Sequence, residues 1–99
     1  MNLRRIDLNL LVMFEALVEE RSVTKAAARL NLTSSAVSHA LRRLREQFKD
    51  PLMLRTAEGM VPTPEAVRLA KSFRKAFSEI EDAIGVAGEF DPGTARRTF

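Results

Sequence analysis

Residues 22–48, SVTKAAARLNLTSSAVSHALRRLREQF, decide the fold, because they read as two short helices broken by a tight turn. Ser22 precedes the small-residue run Ala26, Ala27, Ala28 and Leu30; Asn31, Leu32 and Thr33 interrupt it; Ala36, Val37, Ala40, Leu41, Leu44 and Phe48 then recur at helical spacing. Ser22 and Thr33 stand where N-caps belong, and Asn31 tolerates the left-handed conformation that often closes a helix. The alanines let two helices approach closely at a steep crossing, as a helix-turn-helix requires. Between the apolar positions of the later helix lie Ser34, Ser35, Ser38, His39, Arg42 and Arg43. These short hydrogen-bonding and cationic side chains form a polar face suited to base edges and phosphates.

Upstream, Leu10, Leu11, Phe14, Leu17 and Val18 predict an amphipathic helix from Ile6 to about Glu20, with Asp7 favouring its first turn. Its apolar face is needed for a three-helix core, since the alanine-rich second helix cannot form one alone. Downstream, Asp50-Pro51 ends the third helix, and PLMLR followed by TAEGMVPT predicts two short strands around a turn at Ala57, Glu58 and Gly59. Arg55 and Thr56 fall where strand passes into turn, within reach of a phosphate or a minor groove beside the third helix; a solvated hairpin is the plainer alternative.

Thr63-Pro64-Glu65 is a helix start, with a cap, a proline at the first helical position and an acid near the positive end of the dipole. The helix that follows carries Ala66, Ala70, Phe73, Phe77, Ile80, Ile84 and Ala87 at alternating spacings of four and three, a heptad seam that calls for a partner helix. Packing back on its own domain, using Val67 or Leu69, is the alternative. Arg68, Lys71, Arg74 and Lys75 occupy its first half and Glu79, Glu81 and Asp82 its second, so an antiparallel pair sets opposite charges against each other. The tail GVAGEFDPGTARRTF predicts a linker, and Arg96-Arg97-Thr98-Phe99 the opening of a strand of a following domain.

Composition narrows the function. The 99 residues suit one small domain, with a formal charge of +3. Between Arg21 and Arg55 stand eight Lys or Arg against Glu46 and Asp50, a local net of +6 that fits a polyanionic partner and also fits an idle solvated face. No cysteine is present and His39 is the single histidine, which leaves no thiolate or multi-histidine metal site. No run reaches the roughly 18 apolar residues of a membrane span, and the N-terminus lacks a cleavage signal, so a cytoplasmic protein is expected. Ser38 beside His39 does not make a nucleophile and base, because adjacent helical residues point apart; no enzymatic activity and no cofactor are expected of this chain.

These residues resemble the DNA-binding domain of LysR-type transcriptional regulators of bacteria. The likeness runs from about Leu3 to Val86 and rests on an ordered set: Ser22-Val23-Thr24-Lys25-Ala26-Ala27, Ala36-Val37-Ser38, Arg42-Arg43-Leu44-Arg45-Glu46, Pro51-Leu52-Met53-Leu54-Arg55 and Thr63-Pro64-Glu65-Ala66. It implies a mainly α fold: a winged helix-turn-helix over 1–63 (three-helix core plus short β-hairpin), a linker or dimerisation helix over 64–87, and a linker over 88–99 toward a C-terminal effector-binding domain outside this chain. It implies double-stranded DNA contacts at Thr24, Lys25, Thr33, Ser34, Ser35, Ser38, His39, Arg42, Arg43, Arg55 and Thr56. Dimerisation is expected through antiparallel helices using Ala66, Ala70, Phe73, Phe77, Ile80 and Ile84, with a tetramer possible for the longer protein and effector sensing confined to its other domain. The family often has Gln-Pro at the Ser34-Ser35 positions and Arg at His39, so docking mode carries over and base preference does not. The expected function is a homodimeric, sequence-specific regulator reading an imperfect inverted repeat in successive major grooves. The rival is a helical interaction module whose basic face is idle.

Overall fold

The computed structural model describes residues 3–87; of the tail expected as a linker, 85–87 are helical, and the rest, with the strand expected at 96–99, lies outside the described residues. A 3-10 turn (Leu3–Arg5) precedes α1 (Leu8–Glu20), α2 (Val23–Leu30), α3 (Ser34–Phe48), β1 (Met53–Thr56), β2 (Gly59–Pro62) and α4 (Pro64–Ala87). Helix α1 starts two residues later than its apolar spacing predicts, because Asp7 is its N-cap and accepts a hydrogen bond from Asn9 N at 2.9 Å. Helix α4 continues through Gly85 to Ala87.

The two expected caps of the helix-turn-helix are in place. Ser22 Oγ accepts from Lys25 N at 3.1 Å and Thr33 Oγ1 from Ala36 N at 3.0 Å, each satisfying an N–H that the helix itself leaves unpaired. Asn31 closes α2 in the left-handed region, φ 61°. Leu32 N reaches back to Ala27 O at 2.8 Å, so the reversal into α3 is fixed by backbone hydrogen bonds.

Helix α1 is the centre, packing against α2, α3 and α4. Its Leu10, Leu11, Phe14, Ala16 and Leu17 meet Ala26 and Ala27 of α2, Val37, Ala40, Leu41 and Leu44 of α3, and Ala66, Leu69 and Ala70 of α4 in one buried cluster. Phe73 lies on the edge of this core, its ring 5.8 Å from Phe14, 6.3 Å from Phe48 and 6.4 Å from Phe77. The hairpin joins the core at its base through Leu52 and Met53, which are fully buried, and along its second strand through Met60, opposite Arg55, which is nearly so. From Leu54 to Gly59 every residue is exposed.

The strands pair antiparallel with Met53 opposite Pro62 and Thr56 opposite Gly59. Gly59 has φ +112°, a conformation strained for any side chain. Ahead of β1, Leu52 takes φ 65° and Met53 N donates to Pro51 O at 2.6 Å, closing a three-residue turn in its rarer, strained form. A left-handed leucine costs about 1–2 kcal/mol, so its neighbours must hold it there.

Candidate nucleic-acid interface

Helix α3 separates its two roles by helical spacing. Val37, Ala40, Leu41 and Leu44 are buried, whereas Ser34, Ser35, Ser38, His39, Arg42 and Arg43 are all exposed on the remaining surface. Thr24 and Lys25 at the start of α2 are exposed, as are Thr33, Arg55 and Thr56. All the DNA-contact positions expected from the sequence are therefore solvent-facing, and the burial of the apolar seam determines which way α3 presents them.

Their polar groups are not equally free. Thr33 Oγ1 holds the first turn of α3. The Thr56 hydroxyl donates to Gly59 O at 2.8 Å and accepts from Glu58 N at 3.2 Å, so it shapes the hairpin turn. Arg42 Nη1 lies 3.4 Å from His39 Nδ1, and among the described residues no hydrogen bond joins Ser38 to His39. Arg43, Arg55 and Lys25 have no ion-pair partner among the described residues.

Two of the eight cations in the basic segment face other tasks. Arg29 pairs with Glu19 and Glu20 at the C-terminal end of α1. The Arg29 guanidinium, by its hydrogen bond first and its charge second, holds the Glu19 carboxyl below the ordinary glutamate value, with Arg74 adding to the effect. Arg45 turns away from the polar face to donate from Nε to Pro51 O at 2.7 Å and from Nη2 to Met53 O at 2.8 Å. Composition counts both as part of one basic face; tertiary contacts remove them from it.

The heptad seam is also divided. Ala66 and Ala70 are covered within the protomer, Phe73 and Phe77 are half-buried against its core, and Ile80 and Ile84 are 50% and 65% exposed. The plain alternative, packing on the own domain, thus holds for the first half of α4, because the small residues there let the helix lie against α1. Arg74 of the same half pairs with Glu15 and Glu19 of α1, and Arg68 with Glu65 of its own helix. From Ser78 to Gly85 every residue is exposed, so this part projects beyond the core. Leu8 and Val12 of α1 with Phe77 and Ile80 of α4 line an apolar groove rimmed by Glu15, Arg29, Arg74 and Glu81. No described helix is long and apolar enough to cross a membrane.

Comparison with known proteins places this geometry. Residues 8–67 match the bacterial regulatory helix-turn-helix proteins of the lysR family. The chain is 48% identical over 99 residues to the HTH-type transcriptional activator NagR of Ralstonia sp and equally to NahR of Pseudomonas putida, covering all of this chain and 33% of each relative. It therefore spans about a third of the length of these curated relatives. A crystal structure of a probable transcriptional regulator from Pseudomonas aeruginosa superposes with TM-score 0.81 at 42% identity, over 93% of this chain and 31% of that one. The BenM DNA-binding domain in complex with catB site 1 DNA superposes with TM-score 0.77 at 28% identity, over 83% of this chain and 91% of that one.

Proposed function

The chain belongs to the LysR family of bacterial regulatory helix-turn-helix proteins, and we propose that it binds double-stranded DNA sequence-specifically, as a homodimer, to regulate transcription in the bacterial cytoplasm. The observation that carries this reading is the exposed face of α3. Six polar or cationic side chains stand there without a structural task that needs all of them, on a helix whose other face is locked into the core. The BenM complex supports the same use of this fold. Ser34, Ser35, Ser38 and His39 face base edges, with Arg42 and Arg43 on the flanking phosphates and Arg55 of the hairpin reaching the backbone or the adjacent minor groove. Thr24, Lys25 and Thr33 complete the phosphate contacts at the mouth of the groove, and Thr56 serves chiefly by shaping the turn that carries Arg55.

Dimerisation falls to the projecting half of α4. Ile80 and Ile84, continued by Phe77, Leu8 and Val12, present apolar surface that the protomer does not cover. Since Arg68 and Arg74 already have partners, Lys71 and Lys75 remain to face the partner's acidic end, Glu79, Glu81 and Asp82, in an antiparallel pair. Each exposed pair contributes only about 0–1 kcal/mol, enough to select orientation while the isoleucines supply affinity.

Selecting binding sites from a random duplex pool tests the reading as a whole. An enriched inverted repeat, with affinity falling steeply as salt rises, is the expected result. Absence of any salt-dependent shift of any duplex overturns it and leaves α4 as a protein-interaction helix.

A further inference from the structure

Arg45 is the cation of α3 that the groove-reading face does not use, and its surroundings give it another purpose. The hairpin beyond Met53 is two four-residue strands with an exposed tip, too small to hold its own direction. Its second strand is seated on the core by Met60 and Pro62, and its first strand leaves the core through the strained turn at Leu52. Every polar group of that turn has a partner: Leu52 N donates to Asp50 Oδ2 at 2.8 Å, and Leu52 O accepts from Thr63 N at 2.8 Å. The two carbonyls flanking Leu52, those of Pro51 and Met53, are both taken by the Arg45 guanidinium. Asp50 Oδ2 also accepts from Thr63 Oγ1 at 2.8 Å, and Thr63 Oγ1 in turn accepts from Ala66 N at 3.1 Å as the cap of α4. One side chain of α3 and one carboxylate thus join the groove-reading helix, the hairpin root and the start of α4.

We propose that Arg45, assisted by Asp50, is a positioning residue: it sets where Arg55 stands relative to α3 and does not itself touch DNA. The planar fork of arginine suits this, since two donors from one rigid group grip carbonyls two residues apart, whereas lysine brings a single point of attachment. The inference rests on the DNA-binding reading for its consequence and on the free protein for its geometry, and the two are tested separately.

In the free 99-residue protein, Arg45→Met should speed amide hydrogen exchange at residues 53–61 by about tenfold or more, while α1 and α2 amides keep their rates. Arg45→Lys should fall between, and it replaces the Met variant if that one fails to fold. Unchanged exchange in the hairpin, or a uniform rise everywhere, overturns the positioning role whether or not DNA binds. On duplex selected as above, Arg55→Ala should weaken binding about tenfold in the parent but less than about threefold in the Arg45→Met background, and Arg42→Ala should cost the same in both. If the Arg55→Ala loss is undiminished and Arg45→Met itself lowers the salt slope by about one counterion, Arg45 is a phosphate contact and the proposal fails. If the parent shifts no duplex, the DNA-binding reading fails instead, and hydrogen exchange still decides the role of Arg45.

Discussion

Replacing Ile80 and Ile84 together by serine tests the dimer surface most directly. Ile80 is 50% and Ile84 65% exposed in the protomer, so the uncovered surface amounts to slightly more than one whole isoleucine per chain. Burying an isoleucine fully contributes about 1.5–3 kcal/mol, which gives about 2–3.5 kcal/mol per protomer and about 3.5–7 kcal/mol for a two-fold pair. Taking about 5 kcal/mol, the dimer Kd should rise by about three to four orders of magnitude. The fold should survive: both side chains face water, and such substitutions usually fall within about 0.5 kcal/mol of the parent. Phe77 is a poorer target because its ring packs on Phe73, 6.4 Å away, so its loss mixes dimerisation with folding. Val67→Ser is the matched control, 49% exposed on the same helix but off the seam, and it should leave Kd unchanged. Sedimentation equilibrium over a wide concentration range, with circular dichroism of each variant, gives both quantities. A double variant whose Kd stays within about tenfold of the parent, with helicity retained, would refute the assignment of the seam.

Three further outcomes are expected. Arg42→Ala and Arg43→Ala should each weaken binding to all duplexes alike and reduce the slope of log K against log salt by about 0.9, read by fluorescence anisotropy; a loss confined to one base position would instead mark a base contact. Leu52→Gly relieves a left-handed strain of about 1–2 kcal/mol but removes a fully buried side chain, a loss of about 2–5 kcal/mol, so urea denaturation should show net destabilisation; a more stable variant would mean the turn is not held as described. Glu19, held below the ordinary glutamate value by Arg29, contributes stability that is present above the unfolded value of about 4.3 and is lost as pH falls through the lower folded value. Glu19→Gln should therefore lower thermal stability at neutral pH by a few tenths of a kcal/mol at this exposed site, and the difference from the parent should vanish in acid; a difference that persists there would point to packing.

Much of the fold was legible because its signals are local. Ser22, Asn31, Thr33 and Thr63 mark helix ends by chemistry acting within three residues, and the apolar spacing of α3 predicts its buried face. The exposure of the expected contact positions on α3 followed from the same spacing, since a position between buried ones on a helix faces solvent. What spacing cannot show is where a long side chain goes once another element lies beside it. Arg45 and Arg29 look like two more charges of a basic face, yet one meets the hairpin backbone and the other a glutamate ten residues earlier in the chain. The heptad seam does not show its division for a similar reason: its repeat is uniform along α4, and which of its positions are covered depends on the elements that pack against them, so that Ala66 and Ala70 are buried while Ile80 and Ile84 are not. The strained turn at Leu52 left no composition signal, because it is made by partners contributed from α3, Asp50 and Thr63.

The exposure of Ser34, Ser35, Ser38 and His39 bears on how such a protein acquires a new target. None of these side chains fills the core, so under the proposed groove-reading role exchanging one for another polar residue changes the target with little change in whether the chain folds. Descendants of a duplicated gene can therefore drift through many target preferences at nearly constant stability. On the positioning role proposed for Arg45, changes at Arg45, Asp50 or Thr63 enjoy no such freedom: there, a new preference and a misplaced hairpin would arrive together.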